Sequence, residues 1–178
     1  MAWFLIPPIP GMSHTPPNPK LPILADQPPQ PAKAVPLDPG ILGEQFLVEW
    51  VIAKGGQILT RRWHCTYGEL DLVALNRDRT LIFIEVKTRQ WRNLDADGAL
   101  AITRKKQEKL WKAAQLFLLK HPQYQLLPCR FDVALVLYSP GDPPAQHPRT
   151  PHLSRFTRRI AGYTFTLANY LLSAIERS

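Results

Sequence analysis

The amino-acid sequence predicts an α/β domain with a central mixed sheet flanked by helices. One helical pattern follows Asp38, three strand-like runs lie between Gln57 and Arg89, and a second helical pattern precedes a fourth apolar run. The order of elements is therefore α, β, β, β, α, β, followed by a further strand and helix. About 140 residues take part, which is enough for one hydrophobic core.

The first helix is predicted between Asp38 and Gly55. Its apolar residues recur with the spacing of one helical face, and Gly55 and Gly56 form the stop signal. The segment from Gln57 to Trp63 then predicts a strand. GELDLVAL and TLIFIEVKT are two more strands, and the turn-rich NRDR between them predicts a hairpin.

The second half of the chain continues the pattern. TRKKQEKLWKAAQLFLLK is predicted to be an amphipathic helix that ends before Pro122. RFDVALVLY is the fourth strand, on which Arg130 and Asp132 share a face and are expected to pair. We expect residues 139–158, which are proline-rich and basic, to form an exposed loop. IAGYTFTL then predicts a fifth strand, and LANYLLSAIERS predicts a short closing helix.

Composition separates the beginning of the chain from the folded part. Of the 19 prolines, 12 precede Gly40, so residues 1–38 are predicted to be a disordered proline-rich extension of a domain spanning 39–178. No apolar run reaches the roughly 18 residues of a membrane helix. Cys65 and Cys129 form no CxxC pair. We therefore expect a cytoplasmic protein without membrane contact, and the net charge of +8 favours polyanionic partners.

Charged residues stand on the two hairpin strands, at the ends away from their turn. Alternation places Glu69 and Asp71 on one face of their strand, and Glu85 and Lys87 on one face of the next. If the hairpin turns about Asp78, Asp71 lies opposite Glu85, with Cβ atoms roughly 5 Å apart. Two carboxylates this close repel by about 3 kcal/mol at an effective dielectric of 20. A positive group is therefore expected beside them.

A divalent cation is one such group. Mg²⁺ or Mn²⁺ takes oxygen ligands, which Asp71, Glu85 and the backbone carbonyl of Val86 would supply. Lys87 would then orient or deprotonate a water molecule. The alternative is a solvated cross-strand ion pair, the common role of Glu-x-Lys on a strand. The apolar flanks and the opposed Asp71 favour the metal site.

An acidic residue stands on one strand and Glu-x-Lys on the next. This arrangement, in this order of elements, resembles the PD-(D/E)xK nuclease superfamily. The restriction-endonuclease-like fold of that superfamily has an αβββαβ core. The resemblance implies that Asp71 and Glu85 are metal ligands and that Lys87 is the catalytic lysine. Leu70 stands in place of the proline in the motif's name. Archaeal Holliday-junction resolvases are similar in having an extra glutamate on the first helix. Glu44 matches it, which implies a further catalytic residue and metal ligand.

More closely, the chain resembles the YraN-like family of uncharacterised bacterial proteins within that superfamily. The matching pieces are Gly43-Glu44, GELDLVAL, IFIEVKTR, ITRKKQEKLWKAAQLFL and RFDVALV, and YTFTLANYLLSAI matches more loosely. The proline-rich start and the 139–158 loop do not match. The resemblance implies a nuclease fold with its ligand set intact, and it implies no particular substrate.

Basic and aromatic residues near the site predict a nucleic-acid surface. Arg89, Trp91 and Arg92 follow Lys87 closely, where the cations would contact phosphates and the tryptophan would stack on an unpaired base. A basic stripe opposite the apolar face of the second helix comprises Lys105, Lys109 and Lys112. Two alternatives stay open: the stripe serves solubility alone, and Trp91 is a lid on the core.

The leading interpretation is a Mg²⁺- or Mn²⁺-dependent endonuclease that acts on nucleic acid, with DNA preferred to RNA. By the resolvase resemblance, the substrate would be branched or structured DNA in recombination or repair, and the protein would form a homodimer. Two alternatives remain. One is a non-catalytic nucleic-acid-binding module that kept the nuclease fold. The other is an adaptor that recruits protein partners through its proline-rich ends.

Overall fold

The computed structural model describes residues 38–93, 102–141 and 156–175. Within these ranges the chain contains α1 (Pro39–Ala53), β1 (Gln57–Cys65), β2 (Gly68–Leu75), β3 (Leu81–Gln90), α2 (Arg104–Lys120), β4 (Cys129–Pro140), β5 (Thr157–Ile160) and β6 (Tyr163–Leu171). No helix in these ranges is long and apolar enough to cross a membrane. Apart from Asp38, the predicted extension lies outside the described residues, so its disorder stays a prediction.

The strands form one six-stranded sheet in the order β1-β2-β3-β4-β6-β5. The β3–β4 pair is parallel and the other neighbours are antiparallel. The two helices cover opposite faces: Phe46 and Leu47 of α1 belong to one core, and Ala114 and Phe117 of α2 belong to the other. The predicted α/β fold with a mixed sheet flanked by helices is confirmed, and the αβββαβ order is that of a restriction-endonuclease-like core.

Local signals set the ends of both helices. The carboxylate of Asp38 accepts a hydrogen bond from Gly40 N–H at 2.8 Å, which caps the start of α1. Gly55, just past the end of α1, has a φ of 81°, a conformation that favours glycine. Thr103 Oγ1 accepts from Lys106 N–H at 3.3 Å and caps the start of α2. The first turn of α2 is therefore held in place by its own sequence.

The hairpin of β2 and β3 turns about Asp78, as predicted. Its cross-strand pairs run from Leu75 opposite Leu81 to Leu72 opposite Ile84. The two members of each pair are equally distant from Asp78 along the chain. The predicted register is therefore confirmed for these four pairs, and Asp71 and Glu85 are the next residues beyond them.

The end of the chain differs from the expectation. The predicted closing helix is wrong: its residues up to Leu171 form the second half of β6, where Leu167 lies opposite Val136 and Leu171 opposite Val133. The backbone groups of β4 need hydrogen-bond partners, and this long-range pairing overrides the local helical pattern.

The predicted loop at 139–158 is also too long at both ends. Strand β4 extends to Pro140 and β5 begins at Thr157, while residues 142–155 lie outside the described part of the chain. The predicted single strand IAGYTFTL is divided by a two-residue turn. Ala161 and Gly162 have φ values of 51° and 82°, which suit the tight turn of a β-hairpin.

Candidate functional site

Strands β2 and β3 separate just beyond their last cross-strand pair. Asp71 and Glu85 come next in the register, and the Asp71 carboxylate takes the place of a backbone partner. Its Oδ2 accepts a hydrogen bond from Val86 N–H at 2.8 Å. Because the N–H and C=O of one strand residue point to the same side, the Val86 carbonyl also faces this gap. The gap therefore presents oxygen atoms from both strands.

Glu85 is buried, with 7% of its surface exposed, and each of its oxygens lies near an amine. Lys87 Nζ donates to Oε1 at 3.1 Å. Lys106 Nζ, from the first turn of α2, lies 3.2 Å from Oε2 in an ion pair that lacks hydrogen-bond geometry. Two amines thus neutralise one buried carboxylate.

Helix α1 brings Glu44 to the same end of the sheet. Gly43 lies so close to Thr88 of β3 that a Cβ at this position would collide with the threonine side chain. Glycine therefore lets the helix approach the strand. Glu44 Oε2 is buried without a hydrogen bond, and its ion-pair partner Arg62 Nε is 3.9 Å away.

Burial and mutual repulsion raise the pKa of two acids. The pKa of Asp71 rises from 3.8 to about 6, first through burial and then through Glu85, while the Val86 amide and Lys106 oppose the rise. The pKa of Glu44 rises from 4.5 to about 7, first through burial and then through Asp71. The charge of Asp71 thus acts on Glu44, and the charge of Glu85 acts on Asp71. We call Glu44, Asp71 and Glu85 the acidic cluster.

Over the residues that the structure describes, no three side chains of His, Cys, Asp or Glu form a ready-made metal site. In its chemistry the acidic cluster nevertheless fits a divalent cation, because Glu44 and Glu85 each keep a buried oxygen without a hydrogen bond and the donors are all oxygen. Lys106 lies against the Glu85 oxygen that a cation would use. Binding of Mg²⁺ or Mn²⁺ by Asp71, Glu85, Glu44 and the Val86 carbonyl therefore stays a prediction, and it requires Lys106 to move.

The sequence contained a signal for Lys106 that was missed. Lys106 precedes Leu110, Ala113 and Phe117 at the i+4, i+7 and i+11 positions, so it lies in line with the buried stripe of α2. A lysine in line with such a stripe reaches towards the sheet, where the charged end of a partly covered lysine favours an acidic partner. The partner is Glu85, on the strand beneath.

A second missed feature is an ion-pair group beside the acidic cluster. Arg62 Nε donates to Glu69 Oε1 at 3.1 Å, and Glu69 Oε2 lies 3.3 Å from His64 Nε2. Arg62 has a φ of 47° and lies between Arg61, which pairs with Leu72, and Trp63, which pairs with Leu70. A left-handed residue interrupts strand geometry, and no pattern in the sequence predicts it. Glu69 therefore takes its partners from β1.

The predicted nucleic-acid-binding residues divide into exposed cations and a buried tryptophan. Trp91 is 4% exposed and packs with Leu135 and Leu137, so its predicted stacking on a base is wrong and it covers the core instead. The other five predicted residues are exposed: Arg89, Arg92, Lys105, Lys109 and Lys112. Exposure leaves their predicted contacts with phosphates open.

Another buried acid, Asp132 of β4, lies on the face covered by α1. Arg130 Nε lies 3.0 Å from both carboxylate oxygens, which confirms the expected pair. The Tyr170 hydroxyl and the Ser173 N–H also donate to Asp132, at 2.8 and 3.0 Å. Burial raises the pKa of Asp132, although all three donors oppose the rise. Both oxygens of this carboxylate are therefore satisfied.

Comparison with known proteins gives a consistent result. The family model described as "Uncharacterised protein family UPF0102" matches residues 43–136, a range that contains the whole acidic cluster and both of its lysines. A UPF0102 protein of Acaryochloris marina is 41% identical over 154 residues, covering 78% of this chain and 90% of that protein. A UPF0102 protein of Trichodesmium erythraeum is 43% identical over 159 residues, covering 78% of this chain and 88% of that protein.

Proposed function

The chain belongs to uncharacterised protein family UPF0102, and from this premise we propose that it is a metal-dependent endonuclease that hydrolyses phosphodiester bonds in DNA. One observation carries the proposal. Asp71 and Glu85 are neighbours where β2 and β3 separate, and Lys87 Nζ lies 3.1 Å from Glu85. Bringing two acids together out of water costs free energy that packing does not explain. A cation-binding role explains it.

Each residue has a role in this proposal. Asp71, Glu85 and the Val86 carbonyl would hold Mg²⁺ or Mn²⁺, with Glu44 as a further ligand. When bound, the cation would polarise a phosphoryl oxygen as a Lewis acid. Lys87 Nζ, held by Glu85, would orient the attacking water. The water oxygen forms a bond to phosphorus and its proton passes to solvent, the bond from phosphorus to the 3′ oxygen breaks, that oxygen takes up a proton from solvent, and a 5′ phosphate remains.

The exposed cations would hold the nucleic-acid backbone. Arg89 is on the same strand as Lys87 and Arg92 follows that strand, so both lie beside the proposed chemistry. The basic stripe of α2 lies on the helix whose first turn reaches the site through Lys106. The net charge of +8 supports binding to a polyanion. Branched or structured DNA, in recombination or repair in the cytoplasm, is the substrate and setting that we propose to test first.

A non-catalytic nucleic-acid-binding module is the second candidate. One observation favours it: Lys87 and Lys106 together neutralise Glu85, so this carboxylate has charge partners without any metal ion. A binding module would hold DNA through the same exposed cations. It would show no cleavage under any metal condition.

The decisive experiment is a cleavage assay with purified full-length protein. Labelled junction, flap, single-stranded and duplex DNA are incubated with Mg²⁺, Mn²⁺ or EDTA. The nuclease proposal expects cleavage with Mg²⁺ or Mn²⁺, none with EDTA, and a loss of about a hundredfold or more in Asp71→Ala and Lys87→Ala. DNA binding by Lys87→Ala should be largely retained.

Matched control variants separate the site from general charge effects. Glu49→Ala removes an acid from the exposed side of α1, where its side chain is 42% exposed. Lys120→Ala removes an exposed lysine at the opposite end of α2 from Lys106. Both variants should cleave within about threefold of the unaltered protein, because surface substitutions away from a site have small effects. Absence of cleavage of all four substrates, with DNA binding intact, would support the binding module instead.

A further inference from the structure

Lys106 reaches the acidic cluster from a different element than the acids do. Asp71 lies on β2 and Glu85 on β3, whereas Lys106 extends from the first turn of α2. Its Nζ lies 3.2 Å from Glu85 Oε2, and its charge also acts on Asp71, where it favours the ionised form. The cap from Thr103 fixes its backbone N–H. The helix therefore brings one cation to Glu85, close enough to Asp71 for its charge to act there.

The two lysines on Glu85 differ in how firmly they are held. Lys87 stands two residues further along the same strand, donates a hydrogen bond to Oε1, and has a side chain that is 20% exposed. The Lys106 side chain is 38% exposed, and its contact with Oε2 is an ion pair without hydrogen-bond geometry. A lysine ammonium is strongly hydrated and sits on a flexible stem, so the more exposed amine leaves more easily. Lys106 is the cation that can be replaced.

We propose that Lys106 neutralises the Asp71–Glu85 pair when no divalent cation is bound. A cation must then displace Lys106 to reach Glu85 Oε2. This inference rests on the proposed metal-dependent function. It adds that the site is regulated by competition between an amine of its own fold and the ion. Lys106 supplies the charge partner of the acids when the ion is absent. The free energy of this ion pair also opposes metal binding, because the effects of the amine and of the ion on each other are reciprocal.

The test measures Mn²⁺ binding to the full-length chain by titration calorimetry, without nucleic acid. Lys106→Met removes the charge and keeps the apolar stem, and Lys105→Met is the matched control on the neighbouring exposed position. We expect Lys106→Met to bind Mn²⁺ on the order of tenfold more tightly than the unaltered protein. The control should change affinity by less than about twofold at physiological salt, because exposed charges are screened.

Thermal unfolding provides a second measurement, which does not depend on activity. Without metal, Lys106→Met should unfold at a lower temperature than Lys105→Met, because a buried carboxylate oxygen loses its cation. Saturating Mn²⁺ should raise the unfolding temperature more in Lys106→Met than in the control. Lys106→Gln, with the same expectations, keeps the test valid if the methionine variant does not fold.

The outcomes distinguish this inference from the proposed function. If Mn²⁺ binds the unaltered protein, Asp71→Ala abolishes binding, and Lys106→Met binds with equal or weaker affinity, the displacement of Lys106 is refuted while the metal site stands. If neither the unaltered protein nor Lys106→Met binds Mn²⁺, both are refuted. Binding that is detectable only in Lys106→Met and Lys106→Gln supports displacement.

Discussion

Asp132 and the acidic cluster differ in how their carboxylate oxygens are satisfied. Asp132 is fully buried and accepts hydrogen bonds from three neighbouring residues. In the acidic cluster, Asp71 accepts one described hydrogen bond, from a backbone amide, and Glu44 and Glu85 each keep one buried oxygen without any. The fold therefore supplies hydrogen-bond donors to both oxygens of Asp132, whereas it leaves two oxygens of the acidic cluster without a donor.

The difference shows which property separates a structural acid from a candidate ligand. Burial raises the pKa of Asp132 and of Asp71 alike, so a raised pKa does not distinguish them. The number of hydrogen-bond donors does distinguish them. Native proteins provide a partner for nearly all buried polar atoms, so a buried oxygen without a donor needs an explanation. A saturated carboxylate has no capacity for a cation, whereas an unsaturated one does.

The largest expected effect is at Asp132. Asp132→Ala removes the acceptor shared by three donors and leaves a cavity between α1 and the sheet. We expect the free energy of unfolding to fall by about 3 to 5 kcal/mol, as when one partner of a buried ion pair is removed. Chemical denaturation at pH 7 measures it. A loss below about 1 kcal/mol would mean that the network around Asp132 is not structural.

The next largest effect is at Tyr170, whose hydroxyl donates to Asp132 at 2.8 Å. Burial, and then Asp132, raise the pKa of Tyr170, so the hydroxyl keeps its proton. Tyr170→Phe should lower the free energy of unfolding by about 1.5 to 3 kcal/mol, the usual range for a hydrogen bond to a charged group. Tyr163→Phe is the control, with an expected change within about 0.5 kcal/mol. Equal effects in the two variants would contradict the comparison.

Asp71→Asn should act in the opposite direction. The folded-state pKa of about 6 lies above the ordinary 3.8, so the folded protein binds this proton more tightly and loses stability as pH rises through that interval. The variant removes this cost and keeps an acceptor for the Val86 N–H. Without metal, we expect a gain of about 1 to 3 kcal/mol at pH 8 that largely vanishes near pH 4. Denaturation at both pH values measures it, and a loss of stability at pH 8 would contradict the prediction.

The smallest expected effect is at Gly43, which sets the approach of α1 to β3. A Cβ here would collide with Thr88 Oγ1 and lie 2.9 Å from Thr88 Cγ2, so Gly43→Ala overpacks the contact, although alanine favours the helix. We expect a net loss of about 1 kcal/mol. Gly40→Ala, whose Cβ would have its nearest contacts with the Asp38 side chain at 3.2 Å or more, should be neutral or stabilising. Thr88→Ala should recover part of the loss at Gly43, and no recovery would place the strain elsewhere.

The hairpin that carries the site could be predicted from sequence because its register is local. The turn about Asp78 and two apolar runs place Leu72 opposite Ile84, with Asp71 and Glu85 as the next residues, without knowledge of the rest of the chain. Glu44 could be assigned to the site only through the resemblance, because its position there depends on the contact between Gly43 and Thr88. The end of the chain was predicted wrongly, because the backbone of β4 decides its structure.

By itself, the sequence determined the order of helices and strands as far as β4, the hairpin register and the acids that stand on the hairpin. Periodicity and turn chemistry act over short spans, so they can be read from neighbouring residues. Only the tertiary structure decided that Lys106 neutralises Glu85, that Trp91 is buried and that Asp132 is saturated. Burial, charge partners and hydrogen-bond saturation depend on elements that are distant in the chain and meet only in the folded protein.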